Sequence, residues 1–371
     1  MENTELPGHD GNYQLPSFVS ESVAEHLPGF QITRAQPLSG GLLNFVWRIT
    51  IQESDLFKSV IIKWAPSYIA SAPTVYLDPS RILIEAKAMN LFESGGSMAA
   101  VAASGIRPPH IYTVDSDRQL IIMEDLGTWP NLSEWLWKHH SSHEVCQAGH
   151  VLGQFIGDVH RLSFCQASYA SEFDNISVQK TRLEFQYSQI EKYARDARLS
   201  DAAELGHIAM NLGTGLLQPG RCLIMGDLWP ASIIVTDQGL RIFDWELAHF
   251  GRPFQDVGHL CAHLWMHQHR APDEIVALAF RSFMACFLTS YQSAIQTSQT
   301  DIWDANELEN CAVHFGCEIL SRTVGAFRGE YLYSDLAIEH PIVTEAAQFA
   351  AVHLRTPSGI NTFDQLKAEK Y

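Results

Sequence analysis

The stretch CLIMGDLWPASIIVTDQGLRIFDWEL, residues 222–247, holds three short apolar runs, CLIM, SIIV and LRIF, with turn chemistry between them. Short runs bounded by Gly, Pro and Asp read as strands, and Asp237-Gln238-Gly239 closes the last two into a hairpin. Asp227 and Asp244 stand 17 residues apart, each just past an apolar run, so the hairpin is expected to bring two carboxylates to one end of the same small sheet. Glu246, two residues beyond Asp244, would face the same side of an extended chain, and Ser232 adds a hydroxyl. Oxygen donors of this kind beside a strand-end carboxylate suit phosphoryl transfer. Asp227 would orient a substrate hydroxyl and take its proton, Asp244 would hold Mg2+ against nucleotide phosphates, and Ser232 and Glu246 would add oxygens to the metal. Two aspartates serving as turn caps would explain neither the spacing nor the charged pair found upstream.

Around this insert the chain is helical. In 145–162, Ala148, Leu152, Phe155, Ile156 and Val159 follow the spacing of an amphipathic helix, and helical patterns continue to about residue 352. Before residue 128 the pattern differs, with strands expected over 42–51 and 59–64, a helix over 80–94, strands over 111–114 and 119–124, and a break at Gly127, Pro130 and Asn131. A chain of 371 residues suits two lobes around a cleft. The expected class is therefore α+β, with an N-terminal lead-in over 1–30, a β-rich nucleotide-binding N-lobe over 31–127, and an α-rich C-lobe over 128–371 for catalysis and substrate. Within the N-lobe, Ser39-Gly40-Gly41-Leu42-Leu43-Asn44 lets backbone N–H groups approach phosphate oxygens, although a Gly-Gly turn alone is ordinary turn chemistry. Lys63 closes the apolar run Val60-Ile61-Ile62, and Glu85 follows 22 residues later on the helix. A lysine beside a buried strand needs a counter-charge, and a helix-borne carboxylate would both pair it and aim it at phosphates.

The balance of 25 basic and 42 acidic side chains gives −17 and a pI near 5.4. That disfavours nucleic acid and anionic membrane surfaces and points to a small-molecule partner. With no Gly-Lys dipeptide there is no P-loop, and neither H-E-x-x-H nor G-x-S-x-G occurs. The first thirty residues lack the basic and apolar regions of a signal peptide, and no stretch approaches 18 uncharged apolar residues. Seven dispersed cysteines without a C-x-x-C pair are expected as buried free thiols in a cytoplasmic protein.

LSGGLLNFVWRI (38–49), SVIIKWAPSYI (59–69), RILIEAKAM (81–89), MGDLWPAS (225–232), DWELAHFGRPFQDVG (244–258) and ILSRTVGAFR (319–328) make the chain resemble the aminoglycoside phosphotransferase and choline kinase superfamily. Within it, the chain looks most like methylthioribose kinase and the fungal 4-hydroxytryptamine kinase. The resemblance implies a bilobal protein-kinase-like fold, ATP and Mg2+ as cofactors, and ATP-dependent phosphorylation of a metabolite hydroxyl. It also implies roles: Ser39, Gly40, Gly41 and Asn44 for the phosphate loop, Lys63 and Glu85 for the phosphate-aiming pair, and Met123, Glu124 and Leu126 for an adenine-contacting hinge. Asp227 becomes the catalytic residue, Ser232, Asp244 and Glu246 lie near the metal, Arg322 meets the substrate, and Asp256 is a buried N-cap of the next helix.

Three positions depart from the family pattern. Met225 stands where histidine is common, and Ser232 where most members have asparagine, serine there being the methylthioribose kinase pattern. Ser321-Arg322 replaces two adjacent arginines, so half of an anion-binding fork is missing and methylthioribose itself is not the expected acceptor. The competing reading is a catalytically inactive nucleotide-binding protein or scaffold. A protein kinase is disfavoured, because H-R-D, D-F-G and A-P-E are missing. His259, His263 and His267 recur at four-residue spacing, but no Cys or carboxylate spacing completes a tetrahedral metal set, so a row of neutral imidazoles is expected. His160-Arg161, at the end of the 145–162 helix, is expected to complement the helix dipole.

Overall fold

The computed structural model describes residues 15–38, 41–52, 58–102, 105–138, 141–296, 302–329 and 331–357. Its contacts divide the chain into two compact units, Met1–Asn90 with Pro109–Thr128, and Leu91–Pro108 with Trp129–Tyr371.

In the first unit, α1 (Ser17–His26) leads into β1 (Ile32–Pro37), β2 (Phe45–Ile51) and β3 (Ser59–Trp64). After α2 (Arg81–Asn90), β4 (Ile111–Asp115) and β5 (Leu120–Glu124) complete an antiparallel sheet of order β1-β2-β3-β5-β4. Trp47, Ile49 and Ile51 of β2, Val60 and Ile62 of β3, and Leu120 and Ile122 of β5 form one core with Val19 and Val23 of α1. The segment expected as a lead-in therefore contributes to the core of this sheet. Alternation along β3 turns Ile61 and Lys63 to the opposite face, where Lys63 stands between Val46 and Ile121 of the neighbouring strands.

In the second unit, α3 (Ser142–Ser163) and α4 (Ile176–Phe185) precede the β insert of β6 (Cys222–Ile224), β7 (Ile233–Thr236), β8 (Gly239–Ile242) and β9 (His249–Gly251). Helices α5 (Phe254–His269), α6 (Glu274–Ile295), α7 (Ala305–Thr323) and α8 (Pro341–Arg355) follow. The expected hairpin forms, with Ile233 opposite Ile242 and Thr236 opposite Gly239. The expectation of one small sheet is corrected: β6 pairs with β9, whereas the hairpin pairs with a parallel strand, Ile106–Arg107. That two-residue strand is too short to leave a pattern in the sequence, and it ties part of 91–108 to the second unit.

Ser141 starts α3 with a reciprocal cap to Glu144. Gly149, Gly153 and Gly157 then line the face of α3 that meets α6: a Cβ at Gly149 would stand 2.6 Å from the Phe283 carbonyl, and one at Gly153 closer still to that of Phe287. Among the described helices α6 alone is long and apolar enough to cross a membrane by length and composition, and its inward face carries the buried residues Phe280, Phe283, Phe287 and Tyr291. The same two helices bring Cys146 and Cys286 into a disulfide, Cα to Cα 5.3 Å, which corrects the expectation of free thiols throughout. A sequence separation of 140 hides the pairing from the sequence. Among the described residues Cys222, Cys261, Cys311 and Cys317 are buried and form no disulfide, and Cys165 is exposed.

Candidate active site

The first unit holds a buried cation and its partner. Lys63 Nζ lies 3.0 Å from Oε1 and 2.8 Å from Oε2 of Glu85, with side chains 3% and 0% exposed. Removing either partner would leave an uncompensated buried charge. Ahead of β2, Asn44 is buried and its Oδ1 accepts from Arg81 Nη2 at 2.9 Å. Gly41 is exposed in the same loop. Ser39 and Gly40 lie outside the described residues. Met123 is buried at the end of β5, Glu124 Oε2 accepts the backbone N–H of His110 at 3.0 Å, and Leu126 is half-buried beyond.

In the second unit the chain leaves β6 through Met225-Gly226. Asp256 captures both backbone N–H groups, on Oδ2 and Oδ1 at 2.8 Å each. Gly226 adopts φ +82°, and a Cβ there would overlap the Leu247 carbonyl, so no other residue fits this turn. Asp256 lies in the first turn of α5, whose N-cap is Pro253. The expected cap is thus corrected to a clamp on the loop ahead of Asp227. His160 lies in the last turn of α3, as expected, and is also fully buried, with Nε2 3.2 Å from Asp256 Oδ2 and Nδ1 2.9 Å from the Tyr291 hydroxyl.

On this fixed backbone, Asp227 Oδ1 accepts from Arg182 Nη2 of α4 at 2.8 Å and lies 3.2 Å from His259 Nε2 of α5. Arg182 Nη1 also bonds the Gly226 carbonyl. Burial raises the Asp227 carboxyl pKa, but the hydrogen bond and charge of His259, with the Arg182 and Arg322 guanidiniums, outweigh it and hold the group well below the usual carboxylate range. Behind His259 stands Glu318 of α7. Its Oε2 is 3.5 Å from His259 Nδ1 and accepts from Gln186 at 2.7 Å. Its Oε1 is 3.1 Å from His263 Nε2 and accepts from Arg322 Nε at 2.7 Å.

Asp244 leaves β8 at φ +64°, a left-handed conformation that aspartate tolerates better than most residues. Trp245–Leu247 is a 3-10 turn, so the alternation expected to place Glu246 beside Asp244 does not apply, and Glu246 is buried. Ser232 O accepts the backbone N–H of Phe243 at 3.0 Å, which sets Ser232 next to the residue before Asp244. Its Oγ donates to the Trp229 carbonyl at 2.8 Å. Two carboxylates and a hydroxyl oxygen are hard donors of the kind Mg2+ takes. Arg322 is buried, pairs with Glu318, and lies 5.2 Å, 5.3 Å and 5.4 Å from the rings of Trp229, Phe327 and Tyr331, so its charge is met inside the protein. His267 leaves the histidine row, because its Nδ1 accepts from Trp137 Nε1 at 2.8 Å. His259, His263 and Glu318 do offer three ligand atoms within 4.8 Å of one another, but Glu318 is already taken by Arg322 and Gln186. Arg81, Arg182 and Glu318 escaped the sequence reading, because no local spacing announces them.

A sheet unit with a buried Lys–Glu pair and a helical unit with an aspartate on a clamped loop define a protein-kinase-like fold, as the sequence implied. The same fold is seen in an amicoumacin kinase solved with AMP-PNP and Ca2+, 17% identical, covering 95% of this chain and 97% of that one, with a TM-score of 0.52. Residues 97–282, half of the chain, match the phosphotransferase enzyme family, and the chain belongs to it. It is an enzyme that transfers a phosphoryl group to an alcohol. Over 267 residues it is 25% identical to the 4-hydroxytryptamine kinase of Psilocybe cyanescens, covering 68% of this chain and 72% of that one. Over 317 residues it is 23% identical to the methylthioribose kinase of a Geobacillus strain, covering 78% and 77%.

Proposed function

We propose that this enzyme is a Mg2+-dependent kinase that moves the terminal phosphoryl group of ATP onto a hydroxyl of a small metabolite. Residues 31–127 would carry the nucleotide-binding part, and 128–371 catalysis and the acceptor. The observation that carries the reading is Asp227: a carboxylate on a backbone fixed by Asp256, kept ionised, and anchored by Arg182 and His259 through one oxygen. A carboxylate so held orients an acceptor hydroxyl and receives its proton as the phosphoryl group departs. Lys63, aimed by Glu85, would meet the phosphates, with Ser39, Gly40, Gly41 and Asn44 around them and Met123, Glu124 and Leu126 beside the adenine. Asp244 and Glu246, with Ser232, would hold Mg2+, which when bound neutralises charge on the transferring group.

The two named relatives act on a hydroxytryptamine and on a thioribose, so the family alone does not fix the acceptor. With Ser321 in place of a second arginine and the Arg322 charge met by Glu318, this chain lacks a free anion fork, which supports an acceptor other than methylthioribose. The test is ADP release with Mg2+ and ATP across methylthioribose, other sugars, amino alcohols, aminoglycosides and hydroxyindoles, for the wild type and Asp227→Asn. Turnover with one class that Asp227→Asn abolishes is expected. Equal turnover by the variant would remove Asp227 from the mechanism, and methylthioribose as the best acceptor would refute the substrate argument.

A further inference from the structure

Where α3 meets α6, the Cys146–Cys286 disulfide borders a cavity of about 320 Å3 that His143, Gln147, His150 and Thr289 also line. From His143 to Cys146 is three residues and from Cys146 to His150 four, so on α3 the three side chains share an arc of about 60°. Cys286 reaches this face from α6 because Gly149 leaves it room: a Cβ at Gly149 would stand 3.3 Å from that of Cys286. Both cysteines are half-buried, whereas both histidines are exposed, and exposed side chains change rotamer readily. Two thiols and two imidazoles are the donor set of a tetrahedral Zn2+ site, not of the oxygen sites that Mg2+ and Ca2+ take. Two sulfurs, each about 2.3 Å from a tetrahedral ion, stand about 3.8 Å apart. That separation is within reach of cysteines whose Cα atoms are 5.3 Å apart.

In the disulfide form the four ligand atoms are not gathered: among the described residues, the sets already within 4.8 Å are His259–His263–Glu318 and Glu25–His26–Asp115. Gathering them takes release of the two sulfurs and rotation of two exposed imidazoles. We propose that Cys146, Cys286, His143 and His150 form a Zn2+ site when the disulfide is reduced, so that metal cross-links α3 to α6 in one redox state and the S–S bond does so in the other. An external dithiol would break the Cys146–Cys286 bond and close a disulfide of its own, and its two electrons and two protons would leave both cysteines as thiols. Zn2+ then binds the two thiolates as their protons pass to solvent. The same helix pair joins His160 to Tyr291, and His160 meets the Asp256 that clamps the loop of Asp227. Either cross-link thus fastens the pair of helices on which that loop depends.

The test is titration of the full chain with Co2+, followed by displacement with Zn2+, for oxidised wild type and for wild type reduced and freed of reductant under nitrogen. Reduced Cys286→Ser and the reduced double variant His143→Ala/His150→Ala are titrated alongside. Reduced wild type should bind Co2+ with thiolate-to-cobalt charge-transfer absorption in the near ultraviolet and the visible bands of a tetrahedral ion, both removed by Zn2+. Oxidised wild type and Cys286→Ser should show neither, which separates this site from any metal held by oxygen donors elsewhere. The double histidine variant should bind at least about tenfold more weakly, yet re-form the disulfide on oxidation as wild type does, since its exposed substitutions leave the helix seam intact. Reduced wild type without charge-transfer absorption would overturn the proposal. So would a double variant that binds as tightly as wild type, because two thiols alone would then hold the metal. Should Cys286→Ser not fold, reduced against oxidised wild type and the double variant decide by the same criteria.

Discussion

Asp227 meets the protein through one oxygen. Arg182 and His259 both approach Oδ1, and among the described residues no hydrogen bond reaches Oδ2. In the proposed mechanism Oδ2 is then the oxygen for the acceptor, and its direction depends on two partners from distant helices. Arg182→Met or His259→Leu should lower kcat by about 10- to 100-fold while the KM for ATP changes little, since small misplacements of an orienting group are felt in the transfer step. Steady-state ADP release with the acceptor found by the panel checks this, and a kcat within threefold of wild type would assign Arg182 and His259 to folding alone. Lys63 with Glu85 was legible because the pair follows from strand and helix spacing. Arg182, 45 residues from Asp227, was not, because a lone arginine at residue 182 carries no sign of its partner. Arg81 was not legible for a related reason: RILIEAKAM carries no sign of a buried guanidinium, and only the fold shows it.

Helices α3 and α6 show what patterns convey and what they omit. The apolar spacing in 145–162 located α3 to within a few residues of its observed ends, Ser142 and Ser163. Its partner was not legible, because Gly149, Gly153 and Gly157 in a helix register mainly as poor helix formers, while their use is to let another backbone approach. Gly153→Ala should therefore destabilise by about 1–3 kcal/mol despite the better helix propensity of alanine, as its Cβ would be forced against the Phe287 carbonyl. Gly215→Ala is the matched control: a Cβ there meets nothing within 4 Å, and the change should be neutral or stabilising by a few tenths of a kcal/mol. Chemical denaturation of both variants checks the pair, and equal midpoints would show that the seam relaxes without cost. The sheet pairing was also only half legible. The hairpin announced itself by Asp237-Gln238-Gly239, but the strands that complete each small sheet, Ile106–Arg107 and β9, are two and three residues long.

Across the second unit, buried histidines set how the molecule meets acid. Burial lowers the pKa values of His249, His314 and His353, and takes His263 and His267 down to about 3. The sequence reading of neutral imidazoles along α5 fits the last two, but it could not foresee that histidines from β9, α7 and α8 are buried in the same unit. The sign follows from linkage. A histidine with a depressed folded pKa is neutral when folded and charged when unfolded, so its cost is absent above about pH 6.5 and grows as pH falls toward the folded value. Each such group contributes a slope of about 1.4 kcal/mol per pH unit in that window. Asp227 and Glu318 act at lower pH: with folded pKa values below the ordinary carboxylate range, their stabilisation is present above about pH 4 and is lost only below it. Acid unfolding should therefore begin while both carboxylates are still ionised. The melting temperature should be flat from about pH 7 to 8 and fall steeply toward pH 5. His353 offers a single-group check, since its ring packs 4.7 Å from both Phe315 and Phe349 and its Nδ1 bonds only within its own helix among the described residues. His353→Phe keeps the packing and removes the proton, so its melting curve should match or exceed wild type at pH 7 and exceed it further at pH 5. A gap that does not widen on acidification would mean that His353 is not among the groups that charge on unfolding.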